Sequence, residues 1–148
     1  MTYQKIDFLS QSAIHYEEGC PDTIVISIRN SRSEPARIRD GFKAVLFMEF
    51  DNVEHLTHRD IRFSLRHAEE IFAFVAEHEA TASRILVNCM AGETRSAAVA
   101  MHLAKKYALP LKRSTKEHSK WVLRVLDQVA ERAADRAERL QTNTSAAS

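Results

Sequence analysis

Cys89 and Arg95, separated by five residues and followed at once by Ser96, are the residues whose types and spacing point to chemistry. In a chain with 21 Lys and Arg such a pair arises easily by chance, so its neighbours decide its meaning. Ile85, Leu86 and Val87 run up to the cysteine as a strand would, Gly92 interrupts the intervening stretch, and Ser96 opens an Ala-rich segment of helical character. A tight loop through Met90, Ala91, Gly92, Glu93 and Thr94 then turns successive backbone N–H groups inward beside a helix N-terminus, a geometry that holds a phosphate dianion. The same amides, the helix dipole and the Arg95 guanidinium favour thiolate over thiol at Cys89 and supply a nucleophile at neutral pH. Arg95 has a planar fork that binds two nonbridging phosphate oxygens and follows their charge into the transition state, which the point charge of Lys does poorly. Ser96 can donate its hydroxyl to the sulfur, making it a better leaving group when water cleaves a thiophosphate. Gly92 supplies backbone torsions that a side chain would obstruct.

The run from Cys89 to Ser96, placed after Ile85, Leu86 and Val87, resembles the signature loop of the cysteine-dependent protein tyrosine and dual-specificity phosphatases, in particular the compact bacterial and phage-type predicted tyrosine phosphatases. The likeness extends from the Thr23 to Ile28 run through Ala104, and the loop is its specific part. It implies a central, mainly parallel sheet flanked by helices and a phosphomonoester hydrolase working through a Cys89 thiophosphate without cofactor or metal. A phosphorylated protein or a small phosphate ester would be the substrate. Such enzymes also use an aspartic acid on a separate loop to protonate the leaving alcohol, and Asp51, just past the third apolar run, occupies that place. Glu54 and Asp60 are reserves, and the plainer roles are a turn or cap for Asp51 and a first-turn helix acid for Asp60. Two positions depart from the family pattern. Asn88 stands where a histidine is usual, and it can orient the loop by hydrogen bonds but cannot titrate. Glu93 puts a carboxylate where relatives acting on inositol lipids often have Lys, which argues against phosphoinositides. The loop chemistry leaves two other classes open: a sulfur-transfer or arsenate-reducing enzyme, and a catalytically silent phosphate-binding module for which Asn88 is the hint.

The elements that must position this loop are visible in the apolar pattern. Runs at Ile6 to Leu9, Thr23 to Ile28, Ala44 to Phe50 and Ile85 to Asn88 predict strands, and their continuous apolarity predicts cover on both faces. Ile61, Leu65, Ala68, Ile71, Phe72 and Val75 recur at helical spacing between the third and fourth runs. A second helix is predicted from Ser96 to Tyr107, before Pro110, and a long third from Ser119, striped by Val122, Val125, Leu126, Val129, Ala133 and Leu140. The alternation predicts one α/β domain over residues 1–140, with a polar, frayed tail over 141–148.

Bulk properties set the limits. At 148 residues the chain has the size of one ordinary domain. A formal net charge of +1 gives no global field for nucleic acid or an anionic membrane, so any anion recognition is local. No apolar stretch reaches the roughly 18 residues needed to span a bilayer and no secretion signal is apparent, which places the protein in the reducing cytoplasm with both cysteines free. Cys20 beside Pro21 is expected as a turn residue, not a redox partner of Cys89. His55 and His58 lack acidic or cysteine partners at metal-binding spacing and are expected on loops. Arg29, Arg32, Arg37 and Arg39 form a basic segment, solvated by default, that can flank the phosphate pocket. Trp121 is expected to anchor helix packing.

Overall fold

The computed structural model describes residues 3–52 and 57–147, with side chains through Thr142. Its elements are β1 (Lys5–Ser10), α1 (Gln11–Ile14), β2 (Thr23–Arg29), β3 (Ala44–Glu49), α2 (Leu65–Glu77), β4 (Arg84–Cys89), α3 (Arg95–Tyr107) and α4 (Lys120–Ala147). The four strands form one all-parallel sheet in the order β1-β4-β2-β3. Cys89 therefore ends a central strand, with Ser10 of β1 paired to it and Ser27 of β2 paired to Asn88.

Alternation along the strands sorts side chains between two layers. Ile24, Ile26 and Ile28 of β2 and Ile85, Val87 and Cys89 of β4 face a layer built from α2, α3 and α4. Val25 and Leu86 face the other side, where Ile14 and Ala36, with partly buried Ile38 and Phe42, supply the cover. One face is thus packed by three helices and the other by the short α1 and an irregular segment. Each fully buried Ile or Leu contributes roughly 1.5–3 kcal/mol relative to exposure, so the two layers fix strand register firmly.

Helix α2 starts later than its apolar spacing suggests. The Ser64 side chain accepts from the N–H of His67, and His67 Nδ1 accepts from the N–H of Ser64 at 3.0 Å, closing a capping box that sets the first turn at Leu65. Ile61 is left outside, and Leu65 is exposed. Helix α3 is Ala-rich, so Ala97, Ala98, Ala100 and Ala104 pack closely against their neighbours. It ends at Ala108 in the left-handed region (φ 54°), whose N–H returns to the Ala104 carbonyl. Helix α4 buries Val122, Val125, Leu126 and Val129 and then continues to Ala147, through the residues predicted as a frayed tail. No Gly or Pro after Lys120 interrupts it. Among the described residues no helix is long and apolar enough to cross a membrane.

Candidate active site

The loop from Met90 to Thr94 leaves the C-terminal edge of the sheet between β4 and α3, where open α/β sheets present ligand-binding groups. Gly92 has φ +69°, and a Cβ there would lie 2.4 Å from both Leu9 C and Ser10 N, so only glycine lets the loop seat on the end of β1. The Met90 carbonyl accepts from Gln11 N–H at 3.1 Å, tying the loop to α1 as well. Among the described residues none accepts a hydrogen bond from the N–H of Ala91, Glu93 or Thr94. These donors remain available to an anion.

Cys89 lies fully buried at the root of the loop. Its sulfur is 3.1 Å from Ser96 Oγ and 3.5 Å from Ser96 N. Burial pushes the thiol pKa up, but the Ser96 hydroxyl and N–H, the Arg95 charge and the Gly92 N–H outweigh it and hold the value below that of an ordinary thiol. Arg95 is itself buried, and its Nη1 donates to the Phe50 carbonyl at 2.8 Å. Burial lowers its pKa, opposed by the charges of Cys89 and Asp51. Its Nε is buried without a partner among the described residues. The sequence-predicted Cys89, Arg95, Ser96 and loop residues therefore come together, whereas the Phe50 carbonyl that aims the guanidinium has no signature in the sequence.

Asp51 also reaches this place, and three donors hold its carboxylate. Oδ1 accepts from Ser31 N at 2.9 Å, and Oδ2 accepts from Ser31 Oγ at 2.5 Å and from Ile61 N at 2.8 Å. Burial raises its pKa, yet the Ser31 hydroxyl, the two backbone donors and the Arg95 charge prevail and hold it below the ordinary carboxylate value. The carboxyl thereby clasps three chain segments together. Ser31 and Asn52 were not singled out from the sequence. Ser31 lies 20 residues from Asp51 in the chain, and Asn52 Nδ2 meets Thr94 Oγ1 at 3.4 Å across 42 residues. Only folding makes such partners.

A cleft of about 460 Å³ is lined by Asn30, Ser31, Arg32, Asp51, Asn52, Asp60 and, from the loop, Met90, Ala91, Thr94 and Arg95. Asp60 is not a first-turn acid, because α2 starts at Leu65. It pairs with Arg32 at 3.0 Å and accepts from Thr57 N–H, with its side chain 8% exposed. Glu54 and His55 lie outside the described residues. Glu93 is exposed on the loop, and Met90 is 44% exposed at the mouth of the cleft. The Asn88 side chain, expected to orient the loop, is buried on the sheet face opposite Cys89, and neither its Oδ1 nor its Nδ2 finds a partner among the described residues.

Of the basic segment, Arg32 alone lines the cleft, while Arg29 pairs with Glu49 at 3.1 Å and Arg39 donates to the His15 carbonyl. Cys20 donates to Asp22 Oδ1 at 2.7 Å. Asp22 immediately precedes β2, at the edge of the sheet opposite Cys89, so Cys20 cannot act as a resolving thiol in this fold. His58 is exposed in a turn. Trp121 is a packing anchor as expected: its indole N–H donates to the Phe63 carbonyl at 2.9 Å, and Arg62 stacks on the ring. Among the described residues no three His, Cys, Asp or Glu side chains gather as a metal site. No protein-family model matches the chain, and no curated protein matches it.

Proposed function

We propose that the protein is a phosphomonoester hydrolase of the cysteine-dependent protein tyrosine or dual-specificity type, with the corresponding phosphatase fold. The observation that carries this is the Cys89 sulfur held near Ser96 Oγ and N and beside Arg95, at the start of a helix and under a loop with free amides. The thiolate attacks phosphorus while the loop amides and Arg95 bind the nonbridging oxygens, and the ester oxygen leaves with the electron pair of its bond to phosphorus and takes up a proton from water. Water then cleaves the sulfur–phosphorus bond, with the Ser96 hydroxyl stabilising the departing thiolate.

In the ligand-free protein Asp51 is the anion that closes the cleft, whereas the family resemblance assigns it the part of proton donor. Three donors hold it in place, and through them it ties the Ser31 and Ile61 segments around the cleft. The full burial of Cys89 favours a second reading, a phosphate-binding module that does not turn over. Alkylation with iodoacetate tests the activated thiol that hydrolysis requires. Because the thiol pKa is lowered, the reactive fraction persists as pH falls, and inactivation is expected to reach half its maximum below the ordinary thiol range, with inorganic phosphate slowing it. A half-maximum at or above that range, without protection by phosphate, would count against an activated nucleophile.

A further inference from the structure

We propose that the outer edge of β3 docks the β3 edge of a second copy of this chain, joining the two sheets antiparallel about a two-fold axis at Leu46. The inference goes beyond the function proposed above and does not rest on it. β1 and β3 are the two edges of the sheet, and they are finished differently. At β1, Arg113 Nη1 donates to the Phe8 carbonyl and its guanidinium stacks on the Phe8 ring, so the outward backbone is covered. At β3, alternate residues bond to β2 and the others turn outward. The Phe50 N–H donates to the Arg29 carbonyl, which sets Ala44, Leu46 and Met48 towards β2 and leaves the N–H and C=O groups of Val45 and Phe47 pointing out of the sheet. Among the described residues nothing bonds to these groups. The carbonyl of Glu49, next in the outward series, accepts from His67 Nε2 at 3.1 Å, which closes the open stretch at that end.

The side chains choose the partner. Phe47 is 50% exposed in the middle of an apolar strand, and β3 carries none of the Pro, Gly or inward charge that keeps sheet edges apart. With Leu46 opposite its own copy, Val45 faces Phe47 of the second copy and Phe47 faces its Val45. Each is an aromatic and β-branched pair, and each exchanges both backbone hydrogen bonds. One step further out, Lys43 meets Glu49 of the second copy and Glu49 meets its Lys43. Lys43 is exposed and has no acidic partner among the described residues, and Glu49 gives only Oε2 to Arg29. The segment from Lys43 to Glu49 is therefore complementary to itself when reversed, in apolar shape and in charge. A slip of two residues, the smallest that keeps outward residues opposite one another, would set Lys43 against Phe47 or Glu49 against Val45, so the charges select one register.

Analytical ultracentrifugation of the full chain, with a reductant present to exclude disulfides through Cys20, tests this over about 1–300 µM, the range suited to a small interface. Wild type is expected to form a reversible dimer and nothing larger, because pairing closes the β3 edge of both copies. Phe47→Lys should raise the dimer Kd roughly tenfold or more, since it removes two cross-strand pairs and sets a charge on the edge. Lys43→Glu and Glu49→Lys should each weaken association alone, because like charges then meet at both ends of the contact. Mixed together they should recover it, because a mixed pair restores opposite charges at both ends. Circular dichroism checks the fold of each variant. Lys43→Glu alone decides the matter if Glu49→Lys, which also loses Arg29, does not fold. A wild-type monomer throughout the range, assembly that grows beyond the dimer, or a dimer indifferent to Phe47→Lys or to Lys43→Glu would overturn the inference. So would folded charge variants that stay monomeric when mixed.

Discussion

Cys89→Ser is expected to fold and to hydrolyse para-nitrophenyl phosphate roughly 10⁴-fold more slowly or worse, on the scale of nucleophile deletions elsewhere. Every feature around the sulfur stabilises a charge that serine cannot carry: the Ser96 hydroxyl and N–H, the Gly92 N–H and Arg95 act on a thiol whose ordinary pKa is already within their reach, whereas an alcohol's is not. The fold should survive, because a hydroxyl at position 89 is smaller than the thiol and keeps Ser96 Oγ as a hydrogen-bond partner. Binding of phosphate should persist or strengthen, since the loop amides and Arg95 remain and the negative sulfur that repels the ligand is gone. Calorimetric titration with inorganic phosphate beside steady-state rates reads both effects. Turnover near that of wild type in the purified variant would remove Cys89 from the chemistry.

Asp51→Asn is expected to slow turnover by a similar factor for good and poor leaving groups alike, and to lower thermal stability. The amide retains one acceptor where the carboxylate has two, and its NH₂ faces an N–H or O–H donor at Ser31 or Ile61. At least one donor loses its partner, at a cost of about 1–3 kcal/mol, or a Tm lower by several degrees in a domain of this size. The pH dependence has a definite sign. A carboxyl whose folded pKa is depressed stabilises the fold fully above the ordinary carboxylate range, and that contribution disappears as pH falls through the ordinary value towards the lowered one. The difference in stability between wild type and Asp51→Asn should therefore be constant near neutrality and shrink in acid. A rate defect confined to poor leaving groups, with an unchanged Tm, would instead restore Asp51 to the role of general acid.

The contrast between Cys89 and Asp51 marks what a sequence of this kind reveals. The strands were legible because β2 and β4 are buried on both faces and so consist of near-continuous Val, Ile and Leu. The loop was legible because its three determinants, a strand end, Gly92 and a helix start, are local and consecutive. The role of Asp51 depends on Ser31 and on the backbone of Ile61, which approach it only in the folded chain. Helix spacing likewise extended α2 to Ile61, since apolar period alone does not register the Ser64 and His67 capping box. Asn88 was misread for a related reason: being beside the loop in sequence, it nevertheless points to the opposite face of the sheet, as pleating requires of the residue before Cys89.

The central claim is that Cys89 carries a phosphoryl group during turnover. Rapid mixing of wild type with para-nitrophenyl phosphate, quenching in denaturant within the first turnover and mass analysis of the peptides tests it directly. The account predicts one added phosphoryl group on the peptide containing Cys89, absent from Cys89→Ser and absent once substrate is exhausted. A protein that releases phosphate with no adduct at Cys89, or with the adduct on another residue, would contradict it.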